Sequence, residues 1–338
     1  MPTRRTGGKS PAIDRPPDPA RVERFRADLA RVWPEDTRLG VAVSGGPDSL
    51  ALLLLAHAAL PGRVEAATVD HALRPESAGE AAMVARVCAE MGVPHATLRV
   101  VVPPGNLQDR ARFARYQALG GWVEARGLGA LATGHHMDDQ AETLLMRLNR
   151  GSGVAGLAGV RALIGIPGTG GKLIRPLLGW RRAELGAVVC DAGLEPVADP
   201  SNLDERFDRV RMRRALAEAD WIEVPALARS AGHLAEASEA IAFMVGREWA
   251  ECVAETDGGF RYAALRTGLP DSNVVRIGVI EAVARALGGT LDAGSAAHMA
   301  RSLIAGQPCN VGGIEGRMSD EEGERFWLFA RETPRRTG

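Results

Sequence analysis

The chain has 338 residues, enough for two domains and a sizeable core, and its 41 basic and 42 acidic residues leave a net charge of −1. That balance excludes a global electrostatic pull toward nucleic acid, so any basic surface has to be gathered locally. Four scattered cysteines (Cys88, Cys190, Cys252 and Cys309) exclude a zinc knuckle or a disulfide framework, and the lack of a long apolar run or apolar leader argues against a membrane and for a cytoplasmic protein.

Residues 1–18 are rich in Pro, Arg and Gly without apolar periodicity and read as a disordered basic tail. Gly8-Lys9-Ser10 is not a Walker A loop, because Thr3 stands where that motif needs glycine and no strand precedes it. Val22, Phe25, Leu29 and Val32 recur at helical spacing up to Trp33-Pro34.

Val41-Ala42-Val43 then reads as a buried strand, and Pro47 sits where a helix tolerates proline in its first turn. Between them lies Ser44-Gly45-Gly46, with Asp48 and Ser49 just inside the helix. Gly45 and Gly46 allow close backbone approach, and Ser44, Ser49 and the free N–H groups of the helix start offer donors to phosphate oxygens. Asp48 cannot bind phosphate directly, but a carboxylate there makes sense if it holds a Mg²⁺ that bridges to the phosphates.

A second strand, Val64 to Val69, ends in Asp70-His71-Ala72-Leu73-Arg74-Pro75, a turn expected beside the first loop at the carboxyl edge of a parallel sheet. A helix from about Ala78 to Met91 leads to a third strand, Ala96 to Val102. Asn106 to Tyr116 enters a long helix on which Arg112 and Arg115, three apart, share a face that could meet phosphate. A fourth strand, Leu128 to Thr133, ends in Gly134-His135-His136-Met137-Asp138-Asp139-Gln140-Ala141-Glu142-Thr143. Asp139 and Glu142 fall one turn apart near the positive end of the following helix.

Gly151-Ser152-Gly153-Val154-Ala155-Gly156 matches a dinucleotide fingerprint by letter, but it follows a helix, not a strand, so a helix end and loop suffice. Residues 160–173 read as a Gly-rich loop, Ile174-Arg175-Pro176-Leu177-Leu178 as a short apolar segment, Arg181 to Cys190 as a helix, and Asp199-Pro200-Ser201-Asn202 as a turn. Arg206, Arg209, Arg211, Arg213 and Arg214 form the densest positive cluster in the chain. From Pro225 the register changes. One or two helices reach about Cys252, followed by Phe260-Arg261-Tyr262, a helix near Val274 to Leu287 and a strand at Phe326 to Phe329. The expected organisation is a tail over 1–18, a catalytic domain over 19–224 and a C-terminal domain over 225–338.

Ser44 to Ser49 resembles the SGGxDS loop of the PP-loop ATP pyrophosphatase superfamily at every fixed position. Together with Val69 to Arg74, Asn106 to Tyr116, Gly134 to Thr143, Arg147-Leu148, Arg150 to Gly153, Arg175 to Leu178, and Asp199 to Asn202 with Arg211, it resembles the tRNA(Ile)-lysidine synthase family over about residues 38–215. The resemblance implies an α/β fold, a doubly wound parallel sheet with a smaller, mostly helical C-terminal α+β domain that contacts tRNA. It also implies an enzyme that uses ATP and Mg²⁺ to adenylate the carbon-2 carbonyl of the wobble cytidine in the isoleucine tRNA with a CAU anticodon. Free L-lysine then displaces AMP. On that reading Ser44, Gly45, Gly46, Pro47 and Ser49 hold pyrophosphate, Asp48 binds Mg²⁺ and His71 lies near the nucleotide. Asp139 and Glu142 clamp the lysine ammonium, and Arg112 and Arg211 contact substrate. A homodimer is compatible with it. Rival readings are a PP-loop tRNA thiolase, which generally needs paired cysteines, and a metal-dependent phosphoesterase built on Asp70-His71 and His135-His136-Asp138-Asp139.

Overall fold

The computed structural model describes residues 13, 15–71, 77–101, 107–197, 206, 208–265, 274–321 and 324–332. Most of the expected tail, the stretch 72–76, Asn106 and the Asp199-Pro200-Ser201-Asn202 turn lie outside the described residues. The chain divides into two compact units, one within 1–151 and 159–232, the other within 152–158 and 233–338. The expected break between 224 and 225 instead coincides with the start of helix α9 (Val224–Cys252), inside which the division falls.

In the first unit, α1 (Pro19–Val32) begins at Asp18, whose carboxylate accepts from the N–H groups of Ala20 (2.8 Å) and Arg21 (3.2 Å), and it buries Val22, Phe25 and Leu29. The strands β1 (Leu39–Ala42), β2 (Val64–Asp70), β3 (His95–Arg99), β4 (Ala130–Ala132), β5 (Leu163–Gly165) and β6 (Lys172–Ile174) form one sheet in the order β3-β2-β1-β4-β6-β5. All pairings are parallel except β5 with β6. β5 and β6 are a correction to the Gly-rich loop expected over 160–173: three-residue strands give too short a pattern to be seen, and pairing alone defines them.

Side-chain alternation divides the core. Leu39, Val41, Val43, Ala66, Ala130, Ala132 and Ile174 pack with α1, α2 (Pro47–Ala59), α3 (Ser77–Glu90) and α7 (Arg182–Asp191). Ala42, Ala67, Leu131 and Leu173 pack on the other face with Tyr116, Leu119, Trp122 and Val123 of α4 (Leu107–Arg126). α2 is apolar almost all round, with Leu50 to Ala56 fully covered, as expected of a helix enclosed by the sheet, α1 and α7. The strand order reverses at β1, with β2 on one side and β4 on the other. The loop after β1 therefore opens into the crevice at a topological switch point.

The second unit carries an antiparallel sheet in the order β7-β8-β11-β10-β9, made by β7 (Val253–Thr256), β8 (Gly259–Tyr262), β9 (Cys309–Val311), β10 (Ile314–Glu321) and β11 (Glu324–Arg331). Its core joins Tyr262, Trp327 and Phe329 to Val279, Ile280 and Val283 of α10 (Val274–Ala286) and Met299 and Leu303 of α11 (Ala293–Ile304). The α+β class holds, with more strand than two short apolar runs indicated.

Candidate active site

Gly45 has φ +86°, a value L side chains rarely adopt, and its carbonyl accepts from Val197 N (2.9 Å). The turn places Ser44 Oγ 3.2 Å from Ser49 Oγ, while Ser49 Oγ accepts from Ser44 N (3.1 Å) and donates to Gly46 O (3.0 Å). Gly46 is the N-cap of α2 and makes no side-chain cap bond, so the first N–H groups of α2 remain for a ligand.

Two adjoining clefts open from this loop. One, of about 410 Å³, is lined by Ser44, Gly46, Pro47, Asp48, Thr68, His71, Glu80 and Arg115. The other, of about 180 Å³, is lined by Ser44, Gly46, Asp48, Ser49, Arg115, Thr133, Gly134, His135, Asp139 and Arg209. Gly134 is required by close approach: a Cβ there would stand 2.9 Å from Asp48 O and 3.1 Å from Ser49 N, so β4 meets the start of α2 backbone to backbone.

The acids after β4 are held differently from one another. In α5 (Met137–Leu148), Asp139 Oδ2 accepts from His136 N (3.0 Å) as a helix-start cap, and its Oδ1 accepts from Arg209 Nη2 (2.8 Å). Glu142 is 1 % exposed and is enclosed by Arg182 Nη2 (3.1 Å), Arg209 Nε (2.8 Å) and Arg213 Nε (3.0 Å). Burial alone would raise its carboxyl, but Arg213 and Arg209 outweigh that and hold it below the usual carboxylate range. Arg209 and Arg213, four apart on α8 (Asp208–Glu218), thereby pin that helix to α5. Asp138 accepts from Arg182 N (2.8 Å) and from the Arg181 guanidinium (3.3 Å), tying the starts of α5 and α7 together. Those partners offset its burial and leave its carboxyl below the usual range.

Arginines act on both imidazoles at the cleft. Burial first, then the charges of Arg175, Arg209, Arg115 and Arg112, push the His135 imidazole down to about 3, while its Nδ1 lies 3.0 Å from Thr133 Oγ1. His71 is also lowered, by burial and then by Arg115, and its Nδ1 is buried without a hydrogen-bond partner. Burial and the neighbouring guanidinium charges thus disfavour the charged form of both imidazoles, and an anion entering beside Arg115 and Arg209 would meet positive charge there.

The residues fit a hard cation at Asp48. Its Oδ1 is buried with no hydrogen-bond partner, and a single carboxylate beside phosphates is the usual protein share of a Mg²⁺ site. Among the described residues, no group of three or more His, Cys, Asp or Glu is arranged to hold a metal by itself.

The PP-loop domain family matches residues 19–220. A tRNA(Ile)-lysidine synthase of Novosphingobium aromaticivorans is 45 % identical over 316 residues, covering 92 % of this chain and 93 % of that protein. The enzyme of that name from Zymomonas mobilis is 40 % identical over 308 residues, 90 % of this chain and 91 % of the other. The chain belongs to the tRNA(Ile)-lysidine synthase family of PP-loop proteins.

Among solved structures, the U34-tRNA thiolase NcsA from Methanococcus maripaludis with its [4Fe-4S] cluster is similar with a TM-score of 0.52 and 17 % identity, covering 64 % of this chain and 78 % of that one; the likeness is one of fold alone.

For a member of this lysidine synthase family, the expected site residues are placed unevenly. Ser44, Gly46, Pro47, Asp48 and His71 line the larger cleft, Ser49 and Asp139 line the smaller one, and Gly45 shapes the turn. Three residues differ from expectation. Glu142 lies beneath three arginines and, unlike Asp139, lines neither cleft. Arg211 is exposed and paired with Asp208, beside a separate cavity of about 250 Å³ lined by Met146, Asn149, Arg150 and Met212. Arg112 is exposed over the Tyr116 ring (5.2 Å), one turn before Arg115, which lines both clefts. Sequence reasoning named Arg209 only as one of a basic cluster and His135 only within the phosphoesterase reading, and it missed the role of Gly134. The signal for Arg209 was present: it shares a helix face with Arg213, whereas Arg211 shares one with Asp208.

Proposed function

We propose that this chain joins free L-lysine to the wobble cytidine of the isoleucine tRNA bearing a CAU anticodon, in the cytoplasm, with Asp48 holding Mg²⁺ on ATP. The observation that carries the site assignment is the loop Ser44–Ser49, with free helix-start N–H groups, opening into a cleft also lined by Asp139, Arg115 and Arg209.

On this reading ATP lies with its phosphates against Ser44, Gly45, Gly46 and Ser49 and the N-terminus of α2, and its adenosine extends toward His71 in the larger cleft. Bound Mg²⁺ would neutralise the phosphates as charge develops on the leaving pyrophosphate. Arg115 and Arg209 supply further positive charge where oxygens become more negative. The cytidine carbonyl oxygen attacks the α-phosphorus and pyrophosphate leaves, so carbon 2 now bears a good leaving group. The side-chain amine of lysine attacks carbon 2, AMP departs and the amine gives up a proton. On this reading Asp139, the acid that lines the cleft, orients that amine and accepts the proton. Glu142 contributes by holding Arg209 and Arg213 rather than by touching lysine. The second unit adds contacts to tRNA.

The test is incorporation of labelled lysine into an isoleucine tRNA transcript with a CAU anticodon. Incorporation is expected only with ATP present, and is expected to vanish in Asp48→Ala and when the anticodon is changed to GAU. Equal labelling of both transcripts would refute the assigned specificity.

A further inference from the structure

Behind the cleft walls lies His136. Its ring is 0 % exposed, and neither nitrogen has a hydrogen-bond partner. Yet Nε2 stands 3.4 Å from Asp48 Oδ2 and 3.7 Å from Asp139 Oδ2, and Nδ1 stands 3.6 Å from Asp138 Oδ2. A fully buried imidazole with both edges aimed at carboxylates is not explained by packing, because unpaired buried polar atoms are costly.

The three acids are not equally anchored. Asp138 is held by Arg181 and the Arg182 N–H, and Asp139 by Arg209 and the His136 N–H. Among the described residues, His136 is the only ion-pairing partner within 4 Å of Asp48. The backbone that carries the imidazole is held. Its N–H donates to Asp139 and its carbonyl accepts from Gln140 N (3.3 Å), so it is fixed at the first turn of α5.

We infer that His136 is a positioning residue whose Nε2 edge fixes Asp48, on α2, against Asp139, on α5, and so sets how the cation and triphosphate are held relative to the incoming amine. The inference rests on the reading of the cleft as the ATP site. A group that orients a metal-ligating carboxylate from behind acts on cation affinity while touching no substrate.

Side-chain length provides the test, since the amide of Gln reaches the position of Nε2 and that of Asn the position of Nδ1. In the full chain, His136→Gln, His136→Asn and the wild type are compared for Mn²⁺ binding, by electron paramagnetic resonance with a non-hydrolysable ATP analogue present, and for KM toward ATP and toward tRNA. His136→Asn is expected to weaken Mn²⁺ binding and raise the KM for ATP about tenfold with the KM for tRNA unchanged, and His136→Gln to recover most of the loss. If His136→Asn does not fold, Asp138→Asn decides instead. It frees the ring from its other edge and is expected to weaken Mn²⁺ binding about threefold or more. Equal behaviour of the Gln and Asn variants, parallel changes in both KM values, or an unaffected Asp138→Asn where that variant is needed would overturn the inference. Failure of the wild type itself to bind the analogue would overturn the reading of the cleft, and this inference with it.

Discussion

At the scale of single residues, the cleft assigns different work to two arginines only two positions apart. Arg209 bridges Asp139 and Glu142 and lines the smaller cleft, whereas Arg211 is an exposed partner of Asp208. Arg209→Ala is therefore expected to lower lysine transfer about a hundredfold, the loss typical of removing one charge-stabilising donor, and Arg211→Ala to change it by less than about threefold. Initial rates with saturating tRNA check the contrast. His135 gives a pH prediction with a definite sign. Its folded value near 3 lies below the ordinary histidine value, so the unfolded chain takes up a proton that the folded chain refuses. Its contribution is fully present above about pH 6.5 and is lost as pH falls from there toward 3. Binding of an anion among Arg115, Arg175 and Arg209 should raise the His135 value, and an imidazole NMR titration with and without ATP would record the shift. The loop residues were legible because their types sit at fixed offsets between strand and helix. The arginines were legible only as a cluster: helical spacing groups Arg209 with Arg213 and Arg211 with Asp208, but which of those faces meets α5 is set by packing.

At the scale of elements, function depends on two backbone contacts made without side chains. Gly45 supplies the left-handed turn after β1, and Gly134 lets the end of β4 touch the first turn of α2. Gly134→Ala would place a methyl group against backbone atoms that cannot swing away, so it should cost about 1–3 kcal/mol and displace Asp48 and Ser49 together. Calorimetry and ATP-analogue titration are expected to show a lowered Tm with a disproportionate loss of nucleotide affinity. Unchanged nucleotide affinity would argue that the α2 start is not the phosphate site. The central strands β1, β2 and β4 and the helices around them could be read from apolar runs and helical spacing. β5 and β6 could not, since three residues of a Gly-rich stretch hold no periodicity, and their pairing is a tertiary event. α9, expected as one or two helices, is a single helix of 29 residues beginning at Val224 with Pro225 in its first turn, where proline is tolerated.

At the scale of the whole molecule, a net charge of −1 means that recognition of a polyanion relies on local clusters, consistent with arginines gathered at the cleft and on α8. The second unit has its own core, in which the Tyr262 hydroxyl donates to buried Glu248 (2.8 Å) beneath Trp327. Tyr262→Phe leaves that carboxylate short of a donor and should cost about 1–3 kcal/mol in denaturant unfolding, with the chemistry at the cleft unchanged. Only two of this unit's five strands were legible. β10 and the ends of β11 carry charged residues among their apolar ones, so a run such as Phe326 to Phe329 stood out while its partner Ile314–Glu321 did not. The account as a whole depends on where ATP lies, and a crystal structure with a non-hydrolysable ATP analogue and Mg²⁺ tests that most directly. It is predicted to place the triphosphate against Ser44 to Ser49, the cation on Asp48 and the adenosine beside His71; a nucleotide bound elsewhere, or a cation that does not touch Asp48, would contradict it.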